Sequence, residues 1–274
     1  MSRVALAALL CLAPGCLFPL AGLSTRSTVK TEAGDVQIIA SPAEPVEQQR
    51  VERAVNAATK HLLRWGKLEV PVTLYLLPSH LRLTSAINGF GFDWLRAWAQ
   101  YDVVYLQSPA TWGWLVTDGE VDELLLHELT HCVMYQRIGD ATSWNTKEVP
   151  VWFREGMATW TANQAYKFPS LEDLARFYDK NPDLDPMLNP APMYRDDSAI
   201  VYAAAHHGFT FFVRRMGQQS VHRLLDAMHG GQRFPAAFLA VTGISAEAFA
   251  REFRRYIQWR GFRGIGKPKS GLGR

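Results

Sequence analysis

The stretch Glu123-Leu124-Leu125-Leu126-His127-Glu128-Leu129-Thr130-His131-Cys132 sets two histidines and a glutamate in an otherwise apolar run. On a helix, residues four apart share a face, so His127 and His131 aim their imidazoles at one point. Glu128 lies about 100° round the axis from His127 and reaches a water held at that point. A helix is expected because Thr117 and Glu120 are spaced as a capping box, while Arg137 and Gly139 suit its far end.

A buried carboxylate beside two buried imidazoles must be paired, protonated or coordinated, since an unpaired charge in an apolar setting costs several kcal/mol or titrates away. Leu124, Leu125, Leu126, Leu129, Cys132, Val133 and Met134 imply burial here. Zinc bound by two neutral imidazoles and a carboxylate, with a fourth position open to water, accounts for all three polar residues. The competing reading is a core helix with hydrogen-bonded histidines and a salt-bridged Glu128.

Downstream, Glu148-Val149-Pro150-Val151-Trp152-Phe153-Arg154-Glu155-Gly156-Met157-Ala158-Thr159-Trp160 again places a carboxylate among apolar neighbours. Pro150 is tolerated in a first helical turn, and Val151, Trp152, Glu155, Ala158 and Thr159 fall on one helical face. Gly156 costs about 1 kcal/mol relative to Ala inside a helix, which is acceptable where two backbones approach closely. Glu155, 24 positions after His131, is the expected third zinc ligand.

Taken together, His127-Glu128-Leu129-Thr130-His131 and Trp152-Phe153-Arg154-Glu155-Gly156-Met157-Ala158 resemble the gluzincin clan of zinc metallopeptidases, and more narrowly the peptidase MA-like domains. The resemblance implies that His127, His131 and Glu155 bind Zn2+ and that Glu128 is the catalytic base and acid. It also implies a sheet edge to which extended substrate can pair, and a Tyr or His donor for the oxyanion on a later helix. Tyr202 is the first candidate for that donor and His206, one turn on, the second. Where some gluzincins carry an acidic residue that orients a ligand histidine, this chain has Thr159, whose hydroxyl is the candidate substitute.

With 274 residues, 48% hydrophobic and 20% charged, the chain suits one large globular domain or two small ones. A formal charge of +3 gives no electrostatic case for nucleic acid. Residues 1–23, with Arg3, an apolar run and a break at Pro14-Gly15, read as a secretory signal or an uncleaved N-terminal anchor. Cys16 after Gly15 resembles a lipobox and is the candidate lipidated residue. This places the protein across the inner membrane, anchored and facing the periplasm.

Residues 24–45 read as a tether with one short strand over Val36–Ala40, followed by the catalytic domain at 46–260 and a basic tail at 261–274. Helix is expected from Val46 to Trp65 and from Ser79 to Ile87. Strands are expected over Val70–Leu77, Trp94–Gln100 and Asp102–Gln107. Phe90, Phe92, Trp94, Trp98, Trp112 and Trp114 are expected in the core. The fold class is α+β: a zincin-like domain with a small N-terminal sheet and a helical C-terminal half. The expected function is zinc-dependent hydrolysis of peptide bonds in protein or peptide substrates of the cell envelope. The alternatives are a catalytically silent zinc scaffold and an amide hydrolase acting on peptidoglycan.

Overall fold

The chain enters the fold through a hairpin that its hydrophobic pattern conceals. In the computed structural model, residues 19–89, 92–194 and 196–261 are described; the leader with Cys16, the residue Phe90 and the tail from 262 lie outside them. Strand β1 (Thr25–Thr31) pairs antiparallel with β2 (Gly34–Ala40) through a two-residue turn, Thr31 facing Gly34. The segment 24–45 is therefore part of the sheet rather than a tether. Val29, Val36, Ile38 and Ala40 join the core, but the first half of β1 meets the helix that follows through polar groups: Ser27 donates to Glu52 at 2.6 Å and Thr25 to Gln48 at 3.0 Å. Both partners lie on helix α1 (Pro45–Leu62), so side-chain hydrogen bonds do here what alternating apolar residues do elsewhere.

Strand β2 runs parallel to β3 (Val72–Leu77), and β3 runs parallel to β5 (Val103–Gln107). Pro71, which has no N–H to give, stands just before β3, an interior strand whose ladder needs each donor. The last strand, β4 (Ala97–Ala99), pairs antiparallel with β5 and closes the order β1-β2-β3-β5-β4. β4 is shorter than its sequence suggests because Leu95 N–H turns back to the Phe92 carbonyl at 3.0 Å, taking residues 92–95 out of the ladder. Helix α2 (His80–Ile87) sits between β3 and the β4 hairpin, capped by Ser79 and stopped by Asn88 in the left-handed region.

Helix α3 (Asp118–Ile138) is the axis of the molecule. The Thr117/Glu120 capping box is formed in both directions. From Leu125 to Gln136 every residue is buried, as a helix surrounded on all sides requires. It packs on α1, on β4 and β5, on α4 (Val151–Thr161) and on α7 (Gln218–His229). Gln136, fully buried, fixes its depth: its amide oxygen accepts from Glu69 and Val70 N–H at 2.7 and 3.1 Å, and its NH2 donates to the Tyr101 carbonyl at 3.0 Å. One side chain thus ties α3 to the entry of β3 and to the β4–β5 turn.

Helix α4 lies against α6 (Ser198–Met216) at unusually short range, and Gly156 is the reason. A Cβ there would stand 2.4 Å from the Ala205 carbonyl oxygen and 2.6 Å from Phe209 Cβ. Helices α5 (Leu171–Lys180), α8 (Phe234–Thr242) and α9 (Ala246–Gly261) complete the C-terminal half around an aromatic core of Trp152, Phe153, Phe209, Phe212, Phe238 and Phe249. Among the described residues, no helix is long and apolar enough to cross a membrane.

Candidate active site

Helix α3 presents His127 and His131 one turn apart, and α4 brings Glu155 to face them. The three side chains are buried and form a group able to hold a metal ion. The two Nε2 atoms stand 3.2 Å apart, and Glu155 Oε2 lies 3.4 Å from His127 Nε2 and 3.5 Å from His131 Nε2. Tetrahedral ligands at bond lengths of about 2.0–2.1 Å are separated by about 3.3 Å. The observed triangle therefore has the spacing that three ligands of one zinc ion would need. The donor set of two imidazoles and a carboxylate suits zinc equally well.

Each of the three side chains is held differently. His127 Nδ1 lies 2.9 Å from Gln164 Oε1, an acceptor, so that nitrogen carries the hydrogen and the Nε2 lone pair is left for the metal. Gln164 opens a 3-10 turn after α4, aimed inward by Asn163 in the left-handed region at φ 56°. His131 is set by stacking on Tyr135, ring centroids 5.8 Å apart and nearly parallel, and Tyr135 rests on Trp144. Arg154 donates from Nε to Glu155 Oε1 at 3.1 Å, which turns Oε2 toward the imidazoles.

The two carboxylates are driven apart. Burial pushes Glu128 up to about 7; the charge of Glu155 adds to this, while His127 and the Ala99 N–H of β4 oppose it. Burial works against ionised Glu155 too, but His131, His127 and Arg154 outweigh it and hold that carboxyl well below the usual range. A permanently ionised carboxylate beside a carboxyl poised near neutrality is the pairing that proton-transfer chemistry uses.

Tyr202 on α6 faces the same space, its hydroxyl 3.5 Å from that of Tyr194. Burial, reinforced by Glu155, raises its pKa well above the ordinary phenol, keeping the hydrogen-bond donor in place. His206, the second donor candidate, points elsewhere. Its Nδ1 meets the Thr159 hydroxyl at 3.3 Å, and the residue lines a separate cavity with Arg64 and Trp160. Thr159 thus orients His206 rather than a ligand histidine, and Gln164 takes the orienting role on His127.

A cavity of about 530 Å³ opens over the triad, lined by Phe92, Trp94, Trp98, Tyr135, Trp144 and Tyr194 among others. The core expectation fails for Trp94, which the turn at residues 92–95 takes off the sheet, and for Trp98, which stays in β4 opposite Tyr105 but on an exposed face; half-buried Phe92 packs against the smaller core cluster of Leu77, Leu83 and Leu95. Trp94 and Trp98 are 39% and 44% exposed, and Trp114 lies wholly in solvent. Trp112 does pack against the core, donating to the Gln107 carbonyl at 2.9 Å. Cys132 is a buried thiol whose Sγ lies 3.3 Å from the Gln100 carbonyl, outside the ligand triangle. Gln164 and Tyr194 carried no sequence signal, since both reach the site from irregular segments.

No family model and no curated protein matches the sequence. Among solved structures, the chain is similar to Legionella pneumophila aminopeptidase A in complex with aspartic acid, with a TM-score of 0.52 and 14% identity over 84% of this chain and 28% of that one. It also aligns with the M1 zinc metallopeptidase from Deinococcus radiodurans, with a TM-score of 0.46 and 15% identity over 86% of this chain and 50% of that one. The chain spans half the length of the Deinococcus protein and under a third of the Legionella protein. The fold is the zincin-like α+β fold of metallopeptidase domains, with the small sheet N-terminal and the rest helical.

Proposed function

We propose that this chain is a zinc-dependent peptidase: His127, His131 and Glu155 hold the metal, Glu128 moves the proton and Tyr202 binds the oxyanion. The observation that carries the reading is the near-equilateral ligand triangle with Glu128 beside it but outside it. A purely structural site has no use for a second buried acid raised toward neutrality.

Zinc bound here supplies Lewis acidity to a water and to the substrate carbonyl. The Glu128 carboxylate accepts one proton as that water adds to the carbonyl carbon. The Tyr202 hydroxyl donates to the oxygen that gains charge. When the C–N bond breaks, Glu128 delivers its proton to the departing nitrogen, so water is divided between the new acid and the new amine. Strand β4 ends the sheet beside Glu128, which takes its Ala99 N–H, and is the edge we assign to an extended substrate backbone.

The leader-like residues 1–23 and Cys16 favour a lipid-anchored protein facing the periplasm, with envelope proteins or peptides as substrates. The test is hydrolysis of a peptide mixture by zinc-loaded wild type and Glu128→Gln. Cleavage by wild type alone, with equal zinc in both, supports the reading. Equal rates in the two proteins overturn it.

A further inference from the structure

Resting on the peptidase reading, we infer that the site cuts inside extended chains and takes about six residues across the scissile bond. The triad does not sit at the end of a pocket. A second cavity, of about 480 Å³, adjoins the first and shares Trp94, Leu95, Ala97, His127, Glu128 and Tyr202 with it. The two diverge along α3. The first follows its C-terminal half past His131 to Tyr135, and the second its N-terminal half through Leu124 to Glu120. They also diverge along the β4 segment, the first reaching Gln100 and the second including Arg96. The two lie end to end as halves of one trough, with His127 and Glu128 near their junction.

Helix geometry gives its length. From Glu120 to Tyr135 at about 1.5 Å per residue is about 22 Å, which accommodates about six or seven residues of extended chain at about 3.4 Å each. About three fall on each side of His127.

The charges along the trough are already engaged. Arg154 is paired with Glu155, Lys167 with Glu123, and Glu120 with its own N-cap Thr117. Arg96 donates to the Asp93 and Leu95 carbonyls. Among the described residues, the ions lining the trough other than Glu128 are thus held to partners in their own chain: Arg154 and Lys167 by ion pairs, Arg96 and Glu120 by hydrogen bonds to neutral groups. The first half instead offers the rings of Phe92, Trp98, Tyr135 and Trp144, which suit an apolar or aromatic side chain close to the cut. The halves meet at Trp94, whose ring lies edge-on to Tyr202 with centroids 6.0 Å apart. This contact joins two side chains rather than backbone, so a chain lying through both halves parts it by a change of rotamer.

The test uses full-length zinc-loaded protein and N-acetylated, C-amidated peptides of two, four, six and eight residues with a central Phe. In Glu128→Gln, affinity is expected to rise at least tenfold from two to six residues and then level off. Affinity that is flat with length overturns the trough whether or not the wild type turns over. In wild type, mass spectrometry is expected to find the octapeptide cut internally. Stepwise loss of single residues from unblocked peptides, with blocked ones intact, also overturns the inference. Length-dependent binding without any cleavage by wild type sustains the trough and refutes the peptidase reading instead.

Discussion

Replacing Gly156 by alanine separates packing from propensity within one residue of a ligand. In an exposed helix the change would stabilise by about 1 kcal/mol. Here the new methyl meets the Ala205 carbonyl oxygen at 2.4 Å and Phe209 Cβ at 2.6 Å, and the first of these is backbone that cannot rotate away. Reaching ordinary contact of about 3.5 Å requires α4 and α6 to part by about 1 Å. Overpacking costs about 1–3 kcal/mol, and a clash with backbone puts this one toward the upper end, about 2–3 kcal/mol, so that after a propensity gain of about 1 kcal/mol a net loss of about 1–2 kcal/mol remains. The same displacement carries Glu155 away from His127 and His131, so zinc affinity falls as well. Urea denaturation of the metal-free proteins measures the first effect without metal linkage, and competition with a chromophoric chelator measures the second. Unchanged or increased stability of Gly156→Ala in the metal-free state would refute the close-packing account of α4 and α6.

Gln164→Leu removes the acceptor for His127 Nδ1 and should weaken zinc binding about 10- to 100-fold, read by the same chelator competition, with little change in metal-free stability. Tyr202→Phe should lower kcat about 10²- to 10³-fold with zinc content unchanged, measured by steady-state peptide hydrolysis. Thr117→Ala breaks the α3 capping box and should cost about 1 kcal/mol in urea denaturation while leaving zinc affinity intact. His206 is pushed down to about 4 by burial and by neighbouring His207, against about 6.5 unfolded. Between those values the unfolded chain binds the extra proton, so stability falls with pH from about 6.5 to about 4, by about 3 kcal/mol in full. His206→Gln should flatten that part of the metal-free stability profile relative to wild type, and an unchanged slope would show that His206 is not the group responsible.

The parts of this structure legible in the sequence are those with a strong local signal. The α3 boundaries follow from Thr117, Glu120 and Gly139, and the ligand triangle follows from polar residues placed where only apolar ones belong. Gly156 announced the close approach of α4 to a neighbour, though not that the neighbour is α6. What stayed hidden depends on tertiary context. Strand β1 faces α1 with Ser27 and Thr25, so it lacks apolar alternation. Trp94 looks like a core residue until a turn lifts it from the sheet, and Trp98 until the edge strand β4 presents it on an exposed face. His206 shares the Tyr202 face by spacing, yet the Thr159 hydroxyl holds it away from the triad. Gln136 and Gln164 are ordinary polar residues in the sequence, and only the fold makes one a clamp and the other an orienting acceptor.

The most direct test of the account is the zinc content of the folded full-length chain, measured by mass spectrometry of the element after gel filtration and compared with His131→Ala and Glu155→Ala. One zinc per wild-type chain is expected, with loss from both variants and retention in Glu128→Gln. A folded wild-type chain that takes up no zinc at micromolar free metal would contradict the assignment of His127, His131 and Glu155 as its ligands.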